Sequence, residues 1–360
     1  MLPESKIGWA GLAGGGVVLA LVPLIAGPYY IDLGTYAMIA AMLALSLQLL
    51  VGCTGLLSLG HGAFYGLAAY TVYLITPATA GLPVLVTLPA AVLAAGIAAF
   101  IVGALSLRTR GFFFLMVTLA FGQMIFFVFH DTKIGGGTDG AYLMRPVLPL
   151  AGYPLAPALR PVATYYVGLL SLVLMYVGLA ALLRSLFGRV LEGIRVNEDR
   201  MQAIGFNTYR YKLAAFVIAG MLAGVAGHTW ALHRGFVNPE LVGWHRSAEA
   251  LLMILLGGLG TLHGPILGAL AFTGLAELPQ LMAEWKPFAW LLGAVGMPQA
   301  GAFLQTLSER KLLVEGLVIL AVVFALPTGL AGLRAPRRWR RLLEARGPRP
   351  PGAGEEAGHG

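Results

Sequence analysis

The chain has 360 residues, of which 58% are apolar and 11% charged, with a formal charge of +8 and a mean hydropathy of +0.80. Soluble domains carry about 25% charged residues, and a single core stops growing near this length. The composition therefore excludes an ordinary soluble protein and predicts an all-α polytopic membrane protein.

The first element is an apolar run over 7–27 behind Lys6. It is long for a signal-peptide core and no small-x-small cleavage site follows, so it is read as a retained span. No Asp, Glu, Lys or Arg occurs between Asp32 and Arg108. About 20 apolar residues cross a bilayer as helix, and three spans are placed in this stretch, at 33–51, 57–76 and 84–106. Further helices are predicted at 111–130, 161–187, 213–233, 248–276 and 313–333. The 49 glycines point mainly to close helix packing in lipid. The lone Cys53 excludes an internal disulfide framework and is read as a small packing residue.

Orientation follows from Lys and Arg in short loops. The basic segments are the turn at Arg108 and Arg110, the loop 188–212, and a tail with seven arginines from Arg334 to Arg349. All are expected on the cytoplasmic side with both termini, and loops 131–160 and 234–247 outside. Nine spans would leave the arginine tail outside, so one crossing or re-entrant segment is missing. The candidate is 248–276, interrupted by Gly257–Pro265; the alternative is a weak span within 287–306. The expected organisation is a membrane domain over 1–333 and a basic, then disordered, tail over 334–360. The whole holds about 8–10 transmembrane helices, including broken or re-entrant ones.

None of the five lysines follows a glycine, so the chain has no Walker A motif for nucleotide phosphates. Asp32, Glu249, Glu277 and Glu315 all sit near predicted helix ends. Ion-coupled carriers place carboxylates within the membrane, which weighs against a secondary carrier, kept as the alternative of another class. The histidines lack ligand-like spacing with carboxylates, and no metal site is expected. Trp9, Tyr29, Tyr30, Tyr165, Tyr166 and Trp230 are read as membrane-interface anchors. No polar cluster reads as a clamp for an amino-acid carboxylate or ammonium.

The loop 188–212 is a polar island. Asn197 is a good N-cap, Glu198 and Asp199 face the positive helix end, and Gly205 is a natural terminator. These frame a short helix over 198–204 with Met201 and Ile204 on one side. It fits docking into a groove on a partner, or a positive-inside loop lying on lipid headgroups. Ser58 and His61, in a glycine-rich stretch with Phe64, fit either a loosened substrate path or a packed histidine. Thr118 and Gln123 lie on the 111–130 helix without sharing one tight face. The glycine run GGGTDG, 135–140, reads as a receptor-facing mouth or a turn.

Five colinear stretches, LSLGHGAFYGLAAYT (57–71), RTRGFFFLMVTLAFGQM (108–124), GGGTDG, 194–227 and LLMILLGGLGTLHGPILGA (251–269), together with FALPTGLAGL (324–333), resemble the permeases of ABC importers for branched-chain amino acids, in particular the M-type subunits of Liv systems. The resemblance covers most of 35–333; the 279–312 region departs from it. It implies the ABC importer permease fold, in a bacterial plasma (inner) membrane. It also implies a non-enzymatic subunit that binds no cofactor, with ATP and Mg on partner subunits. The implied partners are a second homologous permease, two cytoplasmic ATPases, an extracytoplasmic substrate-binding protein and membrane lipid, with no nucleic acid. The coupling element maps to Glu198–Gly205, with Ala203 and Gly205 at matching places, and Arg195 just before it. Ser58, His61, Phe64, Thr118 and Gln123 become candidates for the translocation path. Related permeases carry urea or short amides, which stands as the alternative cargo.

Overall fold

A computed structural model describes residues 6–25, 27–77, 79–147, 149–150, 153–154, 159–284, 316, 320 and 329–332. The expected spans at 287–306 and 313–333, apart from the few positions just given, and the arginine tail lie outside the described residues, as does the side chain of Trp9.

Eleven helices follow one another before residue 285 among the described residues: α1 Lys6–Ile25, α2 Pro28–Thr54, α3 His61–Ile75, α4 Val84–Ser106, α5 Phe112–Asp131, α6 Arg160–Arg184, α7 Leu186–Val196, α8 Glu198–Ala203, α9 Thr208–Arg234, α10 Trp244–Gly257 and α11 Gly264–Glu284. A short turn, α12 Gly329–Gly332, packs on the loop after α10. Two-residue strands decorate one end: β1 Ala141–Tyr142 pairs antiparallel with β4 Phe236–Val237, and β2 Pro149–Leu150 with β3 Tyr153–Pro154.

Five of the described helices, α2, α4, α5, α6 and α9, are long and apolar enough to cross a bilayer. Their burial sorts them. The most apolar window of α2 is 100% buried, whereas those of α4, α5 and α6 are 28%, 17% and 39% buried. A helix apolar all round belongs in the interior, and α2 is that helix: α6, α9, α10 and α11 pack around it. Pro28 opens it in the first turn, where a missing N–H costs nothing, and Gly55 at φ 74° ends it. Leu93, Ile97 and Phe100 of α4, and Phe113, Met124 and Phe127 of α5, point outward as an apolar face.

Small residues make the tightest seams. Gly224 of α9 lies against α4, where an added Cβ would stand 2.8 Å from the Ala95 methyl. Pro23 in α1 cannot donate to the Leu19 carbonyl one turn back. The hydroxyl of Tyr165 on α6 donates to that carbonyl instead, at 2.7 Å. Tyr165 is thus buried between helices and is not an interface anchor. Trp230 likewise sits inside the bundle, edge-on to Tyr36 and Tyr65.

Two expected spans are divided. The apolar run 161–187 breaks at Ser185, whose extended backbone starts the separate helix α7. The segment 248–276 is two helices. Gly268 approaches the Met253 carbonyl and Gly264 the Gly257 carbonyl, which makes α10 and α11 an antiparallel pair. The interruption at Gly257–Pro265 is therefore a break between two helices, neither of them among the five long apolar ones. The expected helix 57–76 begins only at His61; residues 55–60 run as an irregular loop into the bundle.

Candidate functional site

At the N-terminal end of α9, α7 and α8 form a surface module. One face of α7 is buried through Val190, Leu191 and Ile194. Arg195 on its last turn donates from Nη1 to the Gly52 carbonyl at 2.6 Å, satisfying a free carbonyl at the end of α2. Asn197 caps α8, accepting from the Arg200 amide at 2.9 Å. The helix closes with Gly205 at φ 94°: the Gly205 amide donates to Gln202 O and the Phe206 amide to Met201 O. This is the paired terminator that requires a left-handed residue.

Glu198 locks the module to α9. Its Oε1 accepts from Lys212 Nζ at 2.6 Å and from the Thr208 hydroxyl at 2.9 Å. Burial pushes the Glu198 carboxyl up, and these two donors with the Lys212 charge more than reverse it, holding it below the usual carboxylate range. Met201 turns inward, its sulfur 2.7 Å from where a Cβ on Gly193 would stand. Ile204 is 65% exposed, and Asp199 and Ala203 are exposed beside it. The exposed residues of α8 and its C-cap are therefore Asp199, Arg200, Gln202, Ala203 and Ile204, without Met201.

Deep in the bundle, two irregular segments meet α2. The Ser46 hydroxyl donates to Leu43 O at 2.7 Å, so its oxygen accepts from His61 Nε2, also at 2.7 Å. Gln48 Nε2 donates to the Thr261 carbonyl in the α10–α11 loop at 3.1 Å. Gly62 N donates to Ser247 Oγ at 2.7 Å, so α10 supplies a cap for α3. Ser58, His61, Phe64 and Thr118 are all buried, and Gln123 is half-buried. Phe64 stands edge-on to His61 and to Phe216. Thr118 bonds back to Leu115 O, and its own carbonyl lies against Gly60, where a Cβ would collide. Gln48 Oε1, Ser58 Oγ and His61 Nδ1 are buried without a hydrogen-bond partner among the described residues. Such groups are costly in an interior; Ser58 and His61 belong to the loosened stretch before α3, whereas Gln48 faces the α10–α11 loop. The glycines of 135–140 make a tight turn, with Gly135 against the Tyr70 ring and Gly140 against Val237.

At the opposite end of α9 from α8 lies a cavity of about 400 Å³ among α2, α9, α10 and α11. Asp32, Arg234, Arg246, Glu249 and Glu277 line it, with Tyr36 and Trp230. Arg246 Nη1 donates to Glu249 Oε2 at 2.9 Å, and Tyr29 donates to Glu277 Oε2 at 2.8 Å. Arg234 Nη2 is 3.4 Å from Asp32 Oδ2. His233 Nε2 stands 3.0 Å from Asp32 Oδ1, off the hydrogen-bond direction. Both guanidiniums approach the Trp230 ring, at 5.6 and 5.8 Å from its centroid. Sequence reasoning found no such cluster, because each charge taken alone reads as a helix-end residue.

Residues 29–325 match the family described as branched-chain amino acid transport system / permease component. The chain is 33% identical to the high-affinity branched-chain amino acid transport system permease protein LivM of Escherichia coli K12, over 77% of this chain and 70% of that one. It is 36% identical to the autoinducer 2 import system permease protein LsrC of Klebsiella pneumoniae over 34% of this chain and 38% of that one. It is 27% identical to the permease protein LivH of Escherichia coli K12 over 41% and 40%. No solved structure matches at a significant level.

Proposed function

The chain belongs to the branched-chain amino acid transport permease family, and we propose that it is one subunit of an ATP-driven importer for leucine, isoleucine, valine or related small amino acids. It pairs with a second, homologous permease, and the path runs between the two. Two cytoplasmic ATPases, holding ATP and Mg, dock on α7–α8, and an extracytoplasmic binding protein delivers cargo to the other side. Both termini face the cytoplasm of a bacterial cell, residues 1–333 form the membrane domain, and 334–360 form a basic tail.

The observation that carries this reading is the attachment of α8. It presents Asp199, Ala203 and Ile204 outward while Glu198 and Arg195 fasten it to α9 and to the end of α2. A push on such an element moves the central helix with it, which is what alternating access driven from outside the membrane needs. Ser58, His61, Phe64, Thr118 and Gln123 border the path in this reading, the unpartnered Ser58 and His61 atoms facing it when it opens.

The test is reconstitution of the full set of subunits in vesicles. Leucine-loaded receptor is expected to stimulate ATP hydrolysis and leucine uptake together. Accumulation of leucine on an ion gradient in vesicles without any ATPase overturns the reading.

A further inference from the structure

We propose that the cavity among α2, α9, α10 and α11 is a binding site for a free zwitterionic amino acid, with Arg246 and Arg234 taking its carboxylate and Glu249, Asp32 and Glu277 its ammonium. The choice of an amino acid, rather than another zwitterion, rests on the import reading above.

The cavity holds both signs of charge at once: two guanidiniums and three carboxylates, drawn from four helices. A lone anion there meets three carboxylates, and a lone cation meets two guanidiniums. Among the described residues no three His, Cys, Asp or Glu side chains gather at metal-holding distance, so the carboxylates do not form a cation cage. A neutral amide such as urea uses neither charge. A zwitterion uses both, each end against its opposite.

The existing pairs leave capacity. Arg246 gives one N–H to one oxygen of Glu249, out of the five that a guanidinium carries. Arg234 meets Asp32 only at 3.4 Å. The side chains are 21% exposed for Arg246, 34% for Glu249, 43% for Arg234 and 49% for Asp32, so none is fully enclosed by protein. The volume, about 400 Å³, lies within the range of about 300–1,000 Å³ of small-molecule sites. Leu33, Phe272 and Ala276 supply an apolar wall for an aliphatic side chain, and Trp230 supplies a flat one. This cluster sits at the end away from α8, where cargo enters if α8 faces the ATPases.

The experiment is equilibrium binding of radiolabelled L-leucine to the full-length chain in lipid nanodiscs. Two competitors of similar shape are compared: L-leucinamide, whose carboxylate is neutralised, and 4-methylpentanoate, which lacks the amine. Each is expected to compete about tenfold or more weakly than leucine, because each leaves one set of charged partners unmet. Arg246→Gln and Glu249→Gln are expected to weaken leucine binding about tenfold. Ala276→Phe fills the cavity without touching a charge and is expected to abolish binding while the protein stays folded. Absence of leucine binding, equal competition by the analogues, or unchanged binding in Ala276→Phe overturns the site. ATP-driven uptake by the complete complex separates the two readings. Uptake that persists without binding at this cavity sinks the site alone; binding that persists in a complex that imports nothing on ATP sinks the import reading alone.

Discussion

The two ends of α9 handle charge in opposite ways. At its N-terminal end, Lys212 and Glu198 meet at 2.6 Å with side chains 9% and 23% exposed, and Thr208 completes the carboxylate's shell. At its C-terminal end, Arg234, Asp32, Arg246 and Glu249 surround open space, with side chains 43%, 49%, 21% and 34% exposed. The first arrangement is closed: it spends its bonds on holding α8 in place. The second is open: it keeps donors and acceptors unspent around a void. A closed pair suits a joint, an open one suits a guest.

The comparison can be broken by substitution. The largest effect is expected from Gly205→Pro, which puts a residue fixed near −65° where φ is 94° and removes the amide bonded to Gln202. We expect about 2–3 kcal/mol lost locally and co-purification of the ATPases abolished while the bundle remains folded. Unchanged association sinks the docking role of α8. Lys212→Met leaves the Glu198 carboxylate without its cation and is expected to cost about 1–3 kcal/mol, read as a lower melting temperature in nanodiscs. A double change with Glu198→Gln is expected to recover part of that loss, since both partners are then neutral. Asp32→Asn, at the open end, is expected to cost less than about 1 kcal/mol because water already screens the pair. If Asp32→Asn destabilises as much as Lys212→Met, the distinction between closed and open ends fails.

The smallest expected effect is on pH. Glu198 is held below its ordinary value in the folded protein, so its contribution is present above the unfolded value, near 4.5, and is lost as pH falls through the folded value. The melting temperature is therefore expected to gain no slope from Glu198 between pH 6 and 8. Below about pH 4.5 it is expected to fall less steeply in Glu198→Gln than in the parent. Equal slopes in that acid range would show that the pair contributes nothing.

These ends also differ in how far they could be read from the chain alone. Asn197, the acids after it and Gly205 are local signals, because a cap and a terminator act within one turn of the helix they bound. The glycines of 257–264 announced the α10–α11 break for the same reason. The cavity has no local signature. Tyr29 and Glu277 are 248 positions apart in sequence, and Trp230, read as a membrane-interface anchor, gains its role only when two guanidiniums reach it. Met201 was paired with Ile204 by spacing, but Gly193 on α7 leaves a hollow that takes its sulfur. The break at Ser185 follows Arg184, one polar step in a run that is otherwise apolar on both sides.

Ser46 and Gln48 hold the two irregular dips of the bundle, one through His61 and the other through Thr261. Successive helical residues turn by about 100°, so these two side chains leave α2 on nearly opposite sides. The central helix is thus a spindle with a loop hung from each flank. A displacement of α2 along its axis therefore bears on both segments at once, and neither can shift against the central helix without disturbing a side chain that it shares with it.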